Sequence, residues 1–218
     1  MACILGHLPF DWHYRMCNTA KSRKWFIYLT NWSYFCLTLD ALLEFIAVVF
    51  VRRTRPDILS GDCTVTPWYL KVVWFVYNLS SCSAVLVTSL YWSLLHKPGE
   101  HITITTLIEH ALNGVYVILN LPVTAVPFKI YHMYQTMIFG VVYITFTIVY
   151  QALGGTNRHD KPYIYPQIDW NHPGTAAMFS AGSTFVAIPL IHSLLYLLCL
   201  ARTAVYKRYQ TRPEASMV

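Results

Sequence analysis

The chain has 218 residues, of which 56% are hydrophobic and only 12% charged, where an ordinary soluble domain carries roughly 25% charged residues. That deficit points to a lipid bilayer. The net charge of +6 sits on basic residues that flank apolar runs, a distribution that membrane topology explains without nucleic acid as a partner.

Residues 1–24 read as a polar, basic tail. The opening "MACILGHLPF" is a short apolar tip followed by Asp11, His13 and Arg15, which is not the pattern of a secretory signal peptide. "KSRK", residues 21–24, reads as an orientation signal beside a span, with a lipid-headgroup contact as the sharper alternative.

A hydrocarbon core about 30 Å thick needs roughly 20 apolar residues of helix. Five stretches meet that length, at approximately 25–50, 68–95, 102–123, 130–153 and 176–201. The first ends on "VVFVRRTR", where a basic cluster and Pro56 stop it; the second is bracketed by Trp68 and Trp92 as interfacial anchors. "NLPVTAVPFK" reverses the chain between the third and fourth, and "GGTN" terminates the fourth. Backbone in lipid must bond to itself, so the expectation is an all-α, polytopic helical bundle over residues 25–201, followed by a basic tail over 202–218. Basic residues fall on both sides of such a bundle in nearly equal number and set no orientation.

The six cysteines show no C-x-x-C pair: Cys36, Cys82 and Cys199 fall inside spans and read as buried thiols, while Cys3 and Cys17 are formal palmitoylation candidates. No Walker, dinucleotide or H-x-x-x-H pattern occurs, so no cofactor or metal is called for. The N-L-S sequon at Asn78 lies within a span, where glycosylation is not expected.

Depth organises the remaining polar residues. At 1.5 Å per residue, Thr30 lies about 8 Å below the surface from which the first span starts, with Asn31 beside it. The third span starts from the same surface and carries Glu109, His110 and Asn113 at roughly 10–17 Å. The longest connection, residues 154–174, lies on that side too and brings His159, Tyr165, Asp169 and His172. The expectation is a polar site shared by the first and third spans and capped by this loop. Asp40 and Glu44 sit one turn apart near mid-membrane, where one must be protonated or matched by a cation, Lys71 or His132 being the nearest in sequence depth. His192 reads as a packing histidine.

"KWFIYLTNWSYF", "SLYWSLL", "EHALNGVYVILNLPVTAVPFKIYH" and "VYQALGGTNRHDKPYIYPQIDW" resemble, in order, the rolling stone family of multi-pass membrane proteins. The resemblance implies a plasma-membrane protein acting in myoblast fusion or cell-surface organisation, through membrane protein partners that the sequence does not name. A more distant similarity reaches the androgen-induced membrane hydrolases of fatty acid esters. It implies Thr30 as a nucleophile in "YLT" and a binding role for Tyr165 in "YP"; His110 falls on the first histidine of their N-H-x-x-H segment and Asn113 on the second. In that alternative His110 is the base, Asn31 or Asn113 steadies the oxyanion, Glu109, Tyr165 and Asp169 line the site, and the substrate is a fatty-acyl lipid. Both groups are similar to six-span proteins, which implies either a shorter layout here or a tail lying along the membrane.

Overall fold

The computed structural model describes residues 24–97, 99 and 101–210, and among them there is no strand. Cys3, Cys17, residues 21–23 of "KSRK" and the chain from 211 onward lie outside the described residues.

A short 3₁₀ turn, Lys24–Ile27, leads into α1 (Leu29–Thr54). Next come α2 (Trp68–Leu90), α3 (Ile104–His110), α4 (Leu112–Val123), α5 (Met133–Ala152), α6 (Pro173–Gly182) and α7 (Ile188–Gln210). Two π-helical turns extend this set. Tyr91–Leu95 continues α2, and Ser183–Ala187 joins α6 to α7. Pro189 accounts for the second: it has no N–H to give the preceding turn and its ring crowds the carbonyl four residues back, so the turn ahead of it widens.

Four stretches are long and apolar enough to cross a membrane: Leu29–Thr54, Trp68–Leu95, Ile130–Ala152 and Pro173–Tyr209. They coincide with four of the five expected spans. The remaining one, 102–123, is broken at Ala111 into α3 and α4. At the break, the Trp92 indole N–H, from the π turn that continues α2, donates to the His110 carbonyl at 3.2 Å.

The bundle is apolar outside and polar within. Phe45, Val48, Ile118 and Leu190 face outward, while Asn78, Ser80, Ser81, Cys82, Ser83 and Ala84 of α2 are buried at the centre. Apolar burial gives helices no advantage over lipid, so close packing through small residues and interhelical hydrogen bonds holds them together. Ser33 donates to Ser83 at 3.3 Å, and Ser80 donates to the Asp40 carboxylate at 2.8 Å, joining α1 to α2. Gly114 brings α4 within contact of Thr88, where a Cβ would stand 3.1 Å from the hydroxyl. Gly140 does the same for α5 against Thr184 and Ile188, at 3.2 Å from each.

At the end where α1 and α7 finish, the turn after α4 is held by side chains. Arg202 donates to the carbonyls of Leu121 at 2.8 Å and Thr124 at 2.5 Å. Glu44 accepts from Asn120 at 3.2 Å and Thr124 at 3.1 Å, so the acid expected to seek Lys71 or His132 is met by an amide and a hydroxyl. His192 shares a hydrogen bond with the Lys129 carbonyl at 3.0 Å and packs on Phe128, consistent with a packing histidine.

A candidate lipid-depth cavity at Thr30

The start of α1 answers for its own polar residues. The Asn31 amide donates to the Trp25 carbonyl at 2.5 Å and the Trp32 indole to the Phe26 carbonyl at 2.6 Å. Tyr143, buried on α5, accepts from the Leu29 N–H at 3.0 Å and donates to the Ile27 carbonyl at 2.9 Å. Main-chain groups that a helix start leaves unsatisfied are thereby paired within the protein. Thr30 is left over for something else.

Thr30 lines a cavity of about 90 Å³. Its walls come from α1 (Leu29, Thr30), the end of α2 with its π turn (Leu86, Val87, Tyr91, Leu95), α5 (Gly140, Ile144) and α6 through α7 (Phe179, Ser180, Thr184, Ile188). Tyr165, Gln167 and Ile168 close it from the loop that follows α5. Both π turns contribute lining residues. Neither turn was foreseen from the sequence, although Pro189 is a visible signal for the second; such turns recur where helices are shaped for function.

The loop is clamped in place. Lys24 donates to the Thr156 hydroxyl at 2.8 Å, the Asn157 carbonyl at 2.8 Å and the Asp160 carboxylate at 3.0 Å. Gly154, at φ +78°, ends α5 as the "GGTN" motif requires, and the Asn157 side chain accepts from the His159 and Lys161 amides at 2.8 and 3.1 Å. Asp169 accepts from Gln151 at 2.8 Å and from the Asn171 amide at 3.0 Å, with the His172 ring 3.4 Å away. The Asn171 main chain, Gln151 and His172 together hold the Asp169 carboxyl below the usual carboxylate range. Trp170 ties the same segment to Thr147 at 3.1 Å.

Tyr165 stands edge-on to Tyr28 at 5.7 Å, and its phenol faces the Thr30 hydroxyl and the Leu29 and Thr30 main chain. The residue is half-buried as a whole, but its phenol sits deep, and burial pushes it up to about 12. Thr30 and Tyr165 are thus brought together at the cavity wall.

The other expected members sit elsewhere. His110 stacks on Tyr91 with ring centroids 3.6 Å apart and planes 4° from parallel, and Tyr91, not His110, lines the cavity. Asn113 is buried on α4 beside Gly114, Asn31 is committed to the Trp25 carbonyl, and Asp169 is the loop's anchor; none is among the lining residues. Glu109 belongs to α3, and its side chain lies outside the described residues. Sequence reasoning missed Ser180. The residue is part of the cavity wall, and its hydroxyl, buried within that wall, has no hydrogen-bond partner.

Outward apolar helices, a buried polar seam and a lined cavity capped by a clamped loop define a polytopic helical membrane protein. The profile of the Protein rolling stone family matches residues 5–214, and the chain belongs to that family. It is 33% identical over 189 residues to Protein rolling stone of Drosophila melanogaster, an alignment covering 82% of this chain and 66% of that protein. The chain therefore spans just under two thirds of its relative's length. No solved structure matches it.

Proposed function

We propose that this protein acts at the plasma membrane in cell fusion, of myoblasts in particular, or in organising the cell surface for it. The observation that carries this reading is the similarity to Protein rolling stone across 82% of the chain. The structure adds a rigidly held loop whose tip, residues 158–162, is exposed and polar and so offers a surface to a membrane protein partner. The test is a fusion assay in cultured myoblasts depleted of the endogenous protein. Wild-type chain restores multinucleate cells, and a chain with Arg158, His159 and Lys161 changed to serine, present at the surface in equal amount, restores fewer. Full fusion in depleted cells, or absence of the wild-type chain from the surface, overturns the proposal.

A second reading, hydrolysis of a lipid ester with Thr30 as nucleophile and His110 as base, has one observation in its favour, Thr30 at the cavity wall. Against it, the described lining residues include no imidazole, carboxylate or amine to take the threonine proton. Labelling by a fluorophosphonate that Thr30→Ala abolishes, in a variant of unchanged melting temperature, would restore it.

A further inference from the structure

We infer that the Thr30 cavity seats one acyl chain of a bilayer phospholipid, with its ester carbonyl at the loop end, and that the chain is bound and not cleaved. This goes beyond the fusion reading and does not depend on it.

Water is the first competitor for the space. A cavity of about 90 Å³ exceeds the roughly 10–15 Å³ that one water needs, but each water also needs 2–4 polar partners. The walls are mainly Leu, Val, Ile, Phe and Tyr, with hydroxyl and amide side chains a minority. Water would lose its hydrogen bonds there, whereas a hydrocarbon chain from the surrounding lipid would not.

The arrangement of the walls then gives a direction. By their places on the elements, Thr30 at the start of α1 and Tyr165 and Gln167 on the loop stand at the end near the membrane surface, while Leu86, Val87 and Ile188 lie deeper, with Thr184 beside them. Ser180 and Ile188 are eight residues apart on one continuous helical path, about 12 Å along its axis. A polar collar at interfacial depth above a mainly aliphatic shaft matches an ester carbonyl above its chain.

A further hydroxyl lies buried in the wall beside this collar. Ser180 is only 5% exposed and its hydroxyl is unpartnered. A buried hydroxyl left unsatisfied costs about 1–3 kcal/mol, and an ester carbonyl is an acceptor that a bilayer supplies at this depth. Among the described residues no base lines the cavity, so the carbonyl meets hydroxyl groups and nothing that would activate Thr30 against it.

The test uses the full chain reconstituted in phosphatidylcholine vesicles containing a trace of phospholipid with a diazirine on one acyl chain. After photolysis, label is mapped by peptide mass spectrometry. Wild type is expected to carry about tenfold more label on residues 86–95, 140–144 and 179–188 than on the outward face of 42–50. Val87→Phe, which fills the shaft, is expected to bring that label down to the outward level. Leu94, on the π turn after α2, also lines the cavity, and Leu94→Phe serves the same purpose should Val87→Phe not fold. Ser180→Ala keeps the shaft and is expected to lose part of the excess. Label spread evenly over cavity and outward face, or unchanged in a folded Val87→Phe or Leu94→Phe, overturns the inference. Loss of label in the presence of excess free oleic acid overturns the assignment to a phospholipid.

Discussion

The Asp40 carboxylate receives the Ser80 hydroxyl at 2.8 Å across the centre of the bundle, and its second oxygen is buried without a partner. Among the described residues one hydroxyl answers a carboxyl group which is 0% exposed. Ser80→Ala removes that donor and is expected to lower stability by about 1–3 kcal/mol, the usual cost of leaving a buried polar group unmet. Asp40→Asn keeps an acceptor for Ser80 and is expected to change stability by less. Unfolding in graded sodium dodecyl sulfate from mild detergent measures both; a Ser80→Ala protein as stable as wild type would show that the pair contributes nothing.

Lys24 closes the loop against the start of α1 through one hydroxyl, one carbonyl and one carboxylate. Asp160 is largely exposed, so the ion pair itself counts for little, about 0–1 kcal/mol. The effect of Lys24→Met is accordingly local. Hydrogen exchange at residues 156–161 is expected to quicken while exchange in α2 stays unchanged, and uniform quickening across the chain would contradict this.

The spans were legible because the membrane's demand for about 20 apolar residues acts on each stretch of chain separately. The break at Ala111 was not, and the side chain that bonds the main chain there, the Trp92 indole, belongs to another part of the chain. The same division runs through the site. Depth arithmetic put Thr30 just below the side of the membrane that carries the loop with Tyr165, and the two residues meet. It also put His110 near that level, but depth carries no information about which way a helix is turned, and the imidazole went to the Tyr91 face. Ser180 was invisible for a related reason: a serine in an apolar helix is common, and only the fold leaves this one unpartnered at a cavity.

Gly155 follows a left-handed Gly154, and a Cβ placed on it would run into the Tyr150 ring. That ring cannot step aside freely, since its hydroxyl donates to the Thr156 carbonyl at 2.9 Å. Gly155→Ala is expected to cost about 1–3 kcal/mol by overpacking. Thermal melting in detergent checks it, with Gly174→Ala, whose Cβ meets nothing within 4 Å, as the control.

Asp169 gives the loop a pH dependence. Its carboxyl is held below the usual range by hydrogen bonds to its charged form, so it binds a proton less readily in the fold than in the unfolded chain, where the ordinary value is about 3.9. The stabilisation is complete above that ordinary value and is lost as pH falls through the depressed one. Wild-type melting temperature is expected to drop on acidification below about pH 4, and Asp169→Asn, lower at neutral pH, is expected to drop less. Parallel acid profiles for the two proteins would place the acid sensitivity elsewhere.

Arg202 holds the far end of the bundle. The carbonyls of Leu121 and Thr124 fall where α4 ends beside Pro122, and such terminal carbonyls have no helical donor of their own. A guanidinium spans two acceptors with a fixed fork; an ammonium does so only as a point charge. Arg202→Leu is expected to lose about 1.5–3 kcal/mol, the range for hydrogen bonds to a charged donor, and Arg202→Lys roughly half of that loss. Glu44 bonds the same turn through Asn120 and Thr124, so its removal and that of Arg202 share a partner and should not add independently. A double-mutant cycle on Glu44→Gln and Arg202→Leu, measured by denaturant unfolding in detergent, reads this directly: a coupling of about 0.5 kcal/mol or more supports one shared latch, and strict additivity would mean that the two side chains hold the turn separately.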